Sequence, residues 1–111
     1  SSLWGGGYGN NELIGGAGSD VFFFAKSASN DTITSFDATK DRVRLGDVTL
    51  DDLVQGQQYF DGDDVKIQLK AEAGGGLLTI KNANGVQVEV NNGDGTYHAY
   101  TATTSNQTWQ G

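Results

Sequence analysis

Cysteine and proline are both missing from this 111-residue chain, and histidine occurs once. Without cysteine there is no disulfide framework and no thiol chemistry. Without proline, the seventeen glycines, roughly twice ordinary usage, point to repeated turns rather than to a stiff linker. The lone His98 lies on an expected strand between Tyr97 and Tyr100. A zinc site wants several His or Cys ligands, and a Ser-His-Asp arrangement needs a positioned nucleophile that nothing places near His98. Catalysis is therefore not expected. No apolar run reaches the length that spans a bilayer. Positive charge is scarce: seven basic residues face fourteen acidic ones, for a net charge of -7. Such a chain suits a divalent cation better than a phosphate backbone or an anionic membrane, so neither a nucleic-acid partner nor a membrane span is expected.

What the chain does have is a repeat. Gly6-Gly7-Tyr8-Gly9-Asn10-Asn11-Glu12-Leu13-Ile14 is followed in register by Gly15-Gly16-Ala17-Gly18-Ser19-Asp20-Val21-Phe22-Phe23. The second unit fits G-G-x-G-x-D-x-U-x at every fixed position, with Phe22 as the large apolar U. This nonapeptide winds calcium-binding parallel β-structure: six residues form a turn whose carbonyls face a cation, and three form a short strand that buries U. The glycines are expected to supply backbone angles closed to other residues. The aspartate supplies the charged oxygen that Ca2+ prefers. Ser27 to Thr34 reads as a third unit in which serine and alanine replace the glycines but Asn30-Asp31-Thr32-Ile33 survives.

Asn11, Asp20 and Asp31 are spaced by 9 and 11 residues. Because a full coil takes two units, about 18 residues, Asn11 and Asp31 should share one edge, one coil apart. Asp20 should sit on the opposite edge, with Asp37 or Asp41 one coil further on. The expected metal-ligating set is therefore Asn11, Asp20, Asp31, Asp37 and Asp41, with Gly16 and Gly18 in the turn whose carbonyls face the cation. Each has an ordinary reading too. Asp20 could brace its own turn with side-chain-to-backbone bonds, Asp31 could simply start a strand, and Asp37 and Asp41 could be turn residues. Asp61, Asp63 and Asp64 do not fit the EF-hand pattern and read as a solvated hairpin tip.

From Asp41 the pattern changes to short strands and tight turns. The run Val21 to Phe24 reads as a strand buried on both faces. Val43 and Leu45, then Val65, Ile67 and Leu69, then Val86, Val88 and Val90 alternate with polar residues. Thr49 to Leu53 carries a Thr cap and acids in its first turn, which suits a short helical turn. Gln58 to Phe60 reads as a strand, Gly74 to Gly76 as a flexible turn, and Asn84-Gly85 as a hairpin between Ile80 and Val86. Thr101 to Gly111 is a polar tail expected to be loosely ordered.

The stretch from Leu3 to Leu53 resembles the C-terminal ends of bacterial RTX proteins exported by type I secretion. The resemblance rests on the Gly-rich units, Gly18-Ser19-Asp20-Val21-Phe22-Phe23-Phe24, Asn30-Asp31-Thr32-Ile33, Phe36-Asp37 and Lys40-Asp41-Arg42-Val43-Arg44-Leu45. Gly76-Leu77-Leu78-Thr79-Ile80-Lys81-Asn82 is similar to a strand that follows in large RTX adhesins and hemolysin-like proteins. Family membership would imply calcium held between adjacent coils by carbonyls and carboxylates. It would also imply a roll unfolded in the calcium-poor cytoplasm and folded outside the cell, and a C-terminal part that caps the roll and is read by the exporter. Where Asn11 stands, the family carries aspartate, so the Asn11–Asp31 pair would bring one carboxylate instead of two. Self-cleavage at an Asp-Pro bond, found in some RTX toxins, is ruled out by the absence of proline.

The expected fold is all-β: a short parallel β-roll of about two coils (residues 1–41), continuing into a C-terminal antiparallel β-sheet cap (42–100) and a flexible polar tail (101–111), in one cooperative domain. The chain opens inside a repeat and reads as a C-terminal fragment of a longer secreted or surface-bound bacterial protein, with the upstream repeats and the type I apparatus as partners. The expected function is calcium-linked folding and stabilisation of that C-terminus, serving export. One alternative is a glycan- or polymer-binding module using Trp4, Tyr8, Tyr59, Tyr97, Tyr100 and Trp109; RTX-type modules attached to alginate epimerases are a precedent by resemblance. The other is a structural cap that no longer uses metal.

Overall fold

The computed structural model describes residues 2–4, 10–54, 60–61, 63–103 and 108–110. In chain order the strands are β1 (Ser2–Trp4), β2 (Asn10–Ile14), β3 (Val21–Phe24), β4 (Asn30–Ser35) and β5 (Arg42–Leu45). They continue with β6 (Phe60–Asp61), β7 (Asp64–Gln68), β8 (Leu77–Ile80), β9 (Val86–Asn91) and β10 (Tyr97–Ala102). Helical structure among the described residues is confined to 3₁₀ turns at Leu50–Asp52 and Ala71–Ala73. The protein is thus mostly β, and its strands form two mixed sheets of order β1-β3-β5-β9-β10 and β2-β4-β8-β7-β6.

The first five strands alternate between the sheets, each running parallel to the strand two before it. Successive circuits are 19 to 21 residues long: Ser2 pairs with Val21, Asn10 with Asn30, and Val21 with Arg42. After β5 the chain leaves this rhythm. It forms the antiparallel pairs β6–β7 and β7–β8, and β8 lies parallel to β4. Then β9 lies parallel to β5, and β10 folds back antiparallel on β9. Antiparallel pairing in the second half therefore comes from β6, β7 and β10, while β8 and β9 extend the parallel stacks.

Period-two alternation assigns the faces. Phe22 and Phe24, Val43 and Leu45, and Val86, Val88 and Val90 point inward from one sheet. Leu13, Ile33, Val65, Ile67, Leu78 and Ile80 point inward from the other, and together they make one core. In β3 only the alternate residues are buried, Val21 and Phe23 being half-exposed. The apolar run is therefore buried on one face, not two. Thr49 stands at the N-cap of the first 3₁₀ turn as expected, and the Asp52 carboxylate closes it, accepting the Thr49 N–H at 2.9 Å and its hydroxyl at 3.2 Å.

Other expectations are revised. Asn84-Gly85 does not join a hairpin, because β8 and β9 belong to different sheets; the turn carries the chain from one sheet to the other. The Gly74–Gly76 segment is a specific docking turn: Gly75 N–H reaches the Lys70 carbonyl, and Gly76 N–H the Ser27 carbonyl at 2.9 Å. Trp109, placed in a loose tail from sequence, is buried and stacks on Tyr100 with ring centroids 5.1 Å apart. Of the expected strand Gln58 to Phe60, Gln58 and Tyr59 lie outside the described residues.

Gly74 has φ +106°, and a Cβ there would overlap the Ser27 carbonyl. Gly74→Ala is expected to cost about 1–3 kcal/mol through strain and displacement of the Ser27 turn. Gly75→Ala, at φ +75° with open space around it, should cost less; urea unfolding of both variants measures the difference.

Candidate functional site

In G-G-x-G-x-D-x-U-x the acid precedes U by two residues, and in a strand two residues is one full period. The acid must therefore face the way U faces. Asp20 shares its face with Phe22 and Phe24, Asp31 with Ile33, and Asp41 with Val43 and Leu45. All three aspartates are buried, with exposures of 2%, 1% and 4%. A buried carboxylate is costly unless its oxygens are paired, so the neighbouring turns have to supply donors.

At one edge, Asp20 and Asp41 stand one circuit apart, as the register Val21↔Arg42 requires. Asp41 Oδ1 accepts the Asp20 N–H at 2.9 Å, and its Oδ2 accepts the Asp37 N–H at 3.0 Å. Asp20 Oδ2 folds back under its own turn to accept the Gly16 N–H at 2.9 Å. That fold-back explains Gly15, where a Cβ would come within 2.7 Å of Asp20 Oδ2 and 2.9 Å of Phe22. The need for glycine is close approach, not unusual backbone angles: Gly15, Gly16 and Gly18 all lie outside the positive-φ region. Gly16 and Gly18 are exposed, with nothing within 4 Å of a Cβ. Asp37 serves its own turn, its Oδ1 accepting from the Thr39 hydroxyl and from the Thr39 N–H at 2.9 Å. These bonds hold the Asp37 carboxyl below the usual carboxylate range.

The opposite edge carries Asn11 and Asp31, which are register partners. The Asn11 amide donates to Asp31 Oδ1 at 3.0 Å, bridging the circuits directly. Asp31 Oδ2 accepts the hydroxyl of Ser29 at 3.2 Å, and Ser29 in turn lies 3.1 Å from the Ser27 hydroxyl. Of the two serines at glycine positions of the third unit, Ser29 has thus become a side-chain partner of its acid, and Ser27 a partner of Ser29. Sequence reasoning missed this role of Ser29, which the position two residues before Asp31 could have signalled. It also missed Asp47, whose Oδ1 accepts the Lys26 N–H at 2.9 Å across a 21-residue step like that from Asp20 to Asp41.

The Asp20–Asp41 edge opens onto a cavity of about 520 Å³ against the outer face of the first sheet, lined among others by Lys40, Asp41, Arg42 and Glu89. Glu89 receives Arg44 at 3.0 Å and Arg42 at 3.9 Å. The Arg44 guanidinium lies 4.4 Å above the Tyr97 ring, and the Tyr97 hydroxyl donates to the Gly46 carbonyl. Tyr97 and Tyr100 are each half-exposed, Tyr97 against Arg44 and Tyr100 stacked on the buried Trp109. Tyr8, Tyr59 and the Trp4 side chain lie outside the described residues. At the β6–β7 tip, Asp63 is exposed. Asp64 binds Lys81 at 2.9 Å, which with the Asn82 N–H draws its carboxyl below the usual range.

Among the described residues no three His, Cys, Asp or Glu side chains converge on one point. A cation at either edge would thus rest largely on carbonyls with one or two carboxylates, hard oxygen donors of the kind calcium takes. Compared with family models, curated proteins and solved structures, the chain matches none.

Replacing Asp41 leaves two backbone donors, on Asp20 and Asp37, without their acceptors. Asp41→Ala is expected to destabilise by about 2–4 kcal/mol, and Asp41→Asn, which keeps one acceptor oxygen, by less. Urea unfolding at neutral pH measures both.

Proposed function

We propose that this chain is the end module of a calcium-linked β-roll at the C-terminus of a secreted or surface-bound bacterial protein of RTX type. Its work is to fold and stabilise that C-terminus after type I export. The alternation of β1 to β5 between two sheets in circuits of 19 to 21 residues supports the roll. The observation that carries the reading is the register: Asn11 opposes Asp31 on one edge, and Asp20 stands beside Asp41 on the other. Asp20 and Asp41, stacked in this way, repel one another unless something neutralises them. Calcium, when bound, would supply that positive charge between turns. At one edge Asp20 and Asp41 would hold it with carbonyls of the turn containing Gly16 and Gly18; at the opposite edge Asp31 would hold an ion with the amide oxygen of Asn11.

The physical basis is linkage. A ligand that binds only the folded roll stabilises it by about 2.7 kcal/mol at one hundred times Kd. In a calcium-poor cytoplasm that contribution vanishes, and repulsion among fourteen acidic residues favours an extended, exportable chain. A second reading, a cap that works without metal, is favoured by the donors already supplied to the acids by Gly16, Asp20, Asp37 and Asn11.

Thermal unfolding followed by circular dichroism in excess EDTA and in millimolar calcium separates the two. The calcium-linked reading predicts a midpoint raised by roughly 10–15 °C, with much of the increment lost in Asp20→Ala and Asp31→Ala. An unchanged midpoint leaves the metal-free cap.

A further inference from the structure

We propose that Lys40 is a tethered competitor for calcium at the Asp20–Asp41 edge, a resident cation that holds the two turns together when calcium is scarce. The inference deepens the reading of these turns as a cation-binding edge and rests on it. The turns 15–20 and 36–41 lead into β3 and β5, which pair one circuit apart from Val21↔Arg42 onward. The Lys40 ammonium reaches back across the gap to the Ala17 carbonyl at 2.9 Å. On its own turn it lies 3.7 Å from Asp37 Oδ2. One positive charge thus bridges a carbonyl of one turn and a carboxylate of the next, the same two kinds of oxygen a hard cation would take there.

Two further features place positive charge at this edge. Lys40 lines the cavity that also contains Asp20 and Asp41. Arg42 lines it as well, its side chain 54% exposed and its nearest acid, Glu89, shared with Arg44. A divalent ion drawing on the Ala17 carbonyl has to displace the Lys40 ammonium, and any ion seated there meets its repulsion. Since the Lys40 side chain is 47% exposed, it can swing into solvent without unfolding anything. The edge is therefore held weakly by lysine and more firmly by calcium, and lysine sets the calcium concentration at which one gives way to the other.

The test compares wild type, Lys40→Gln and Lys40→Arg by thermal unfolding in EDTA and across a calcium titration. In EDTA, Lys40→Gln is expected to melt about 1–5 °C below wild type, the scale of an exposed ion pair. Its calcium-induced rise should be larger than that of wild type and half-complete at a calcium concentration at least about threefold lower, while Lys40→Arg should follow wild type. A Lys40→Gln protein with the wild-type calcium response overturns the proposal while leaving the calcium-linked function standing. A wild type that ignores calcium beside a Lys40→Gln variant that responds supports the proposal and removes calcium linkage from the native chain. If neither responds, both ideas fall.

Discussion

A carboxylate two residues before a core side chain must face the core, and burying it demands partners. Asp20, Asp31 and Asp41 all obey this constraint. Each circuit buries an acid at the rim of the hydrophobic interior, and the chain one circuit away or in the adjoining turn provides the donors. The stacking of circuits is thus specified twice, by parallel strand pairing and by bonds between turns. A slip of one residue would break both, since it would also turn Phe22, Val43 and Ile33 outward.

This arrangement also explains why an acidic chain can be compact. Much of its negative charge is satisfied locally by N–H groups, as at Asp41, Asp47 and Asp37. Several of the few cations each meet an acid. Arg42 and Arg44 flank Glu89, Lys81 meets Asp64, and Lys40 spans the two stacked turns. Each such exposed pair is worth little by itself.

The sequence carried the repeat with unusual clarity. The spacing of Asn11, Asp20 and Asp31 predicted that Asn11 meets Asp31 across a circuit and that Asp37 or Asp41 follows Asp20; the Asn11–Asp31 pair is present, and of the two it is Asp41 that partners Asp20. The inward strands at Val43, Val65 and Val86 were legible from alternation. What was not legible is non-local. Asn84-Gly85 has the local chemistry of a hairpin, but β9 finds its partner in β5, forty-five residues upstream of Gln87 at Arg42. The return of β8 to β4 depends on Gly76 docking on Ser27, a contact with no local signature. Trp109 looked like a tail residue because its neighbours are polar, yet the ring of Tyr100 offers it a buried surface. The role of glycine was misjudged for a related reason: at Gly15 the demand comes from the Asp20 carboxylate folding beneath it, not from the turn's own angles.

The account turns on calcium acting at the stacked turns, and a calcium titration of the uniformly ¹⁵N-labelled protein followed by amide chemical shifts tests that residue by residue. It predicts saturable shifts concentrated in residues 15–20 and 36–41 and around Asn11, Ser29 and Asp31, with the core strands little changed. Shifts confined to the acidic tip at Asp63 and Asp64, or none at millimolar calcium, would contradict it.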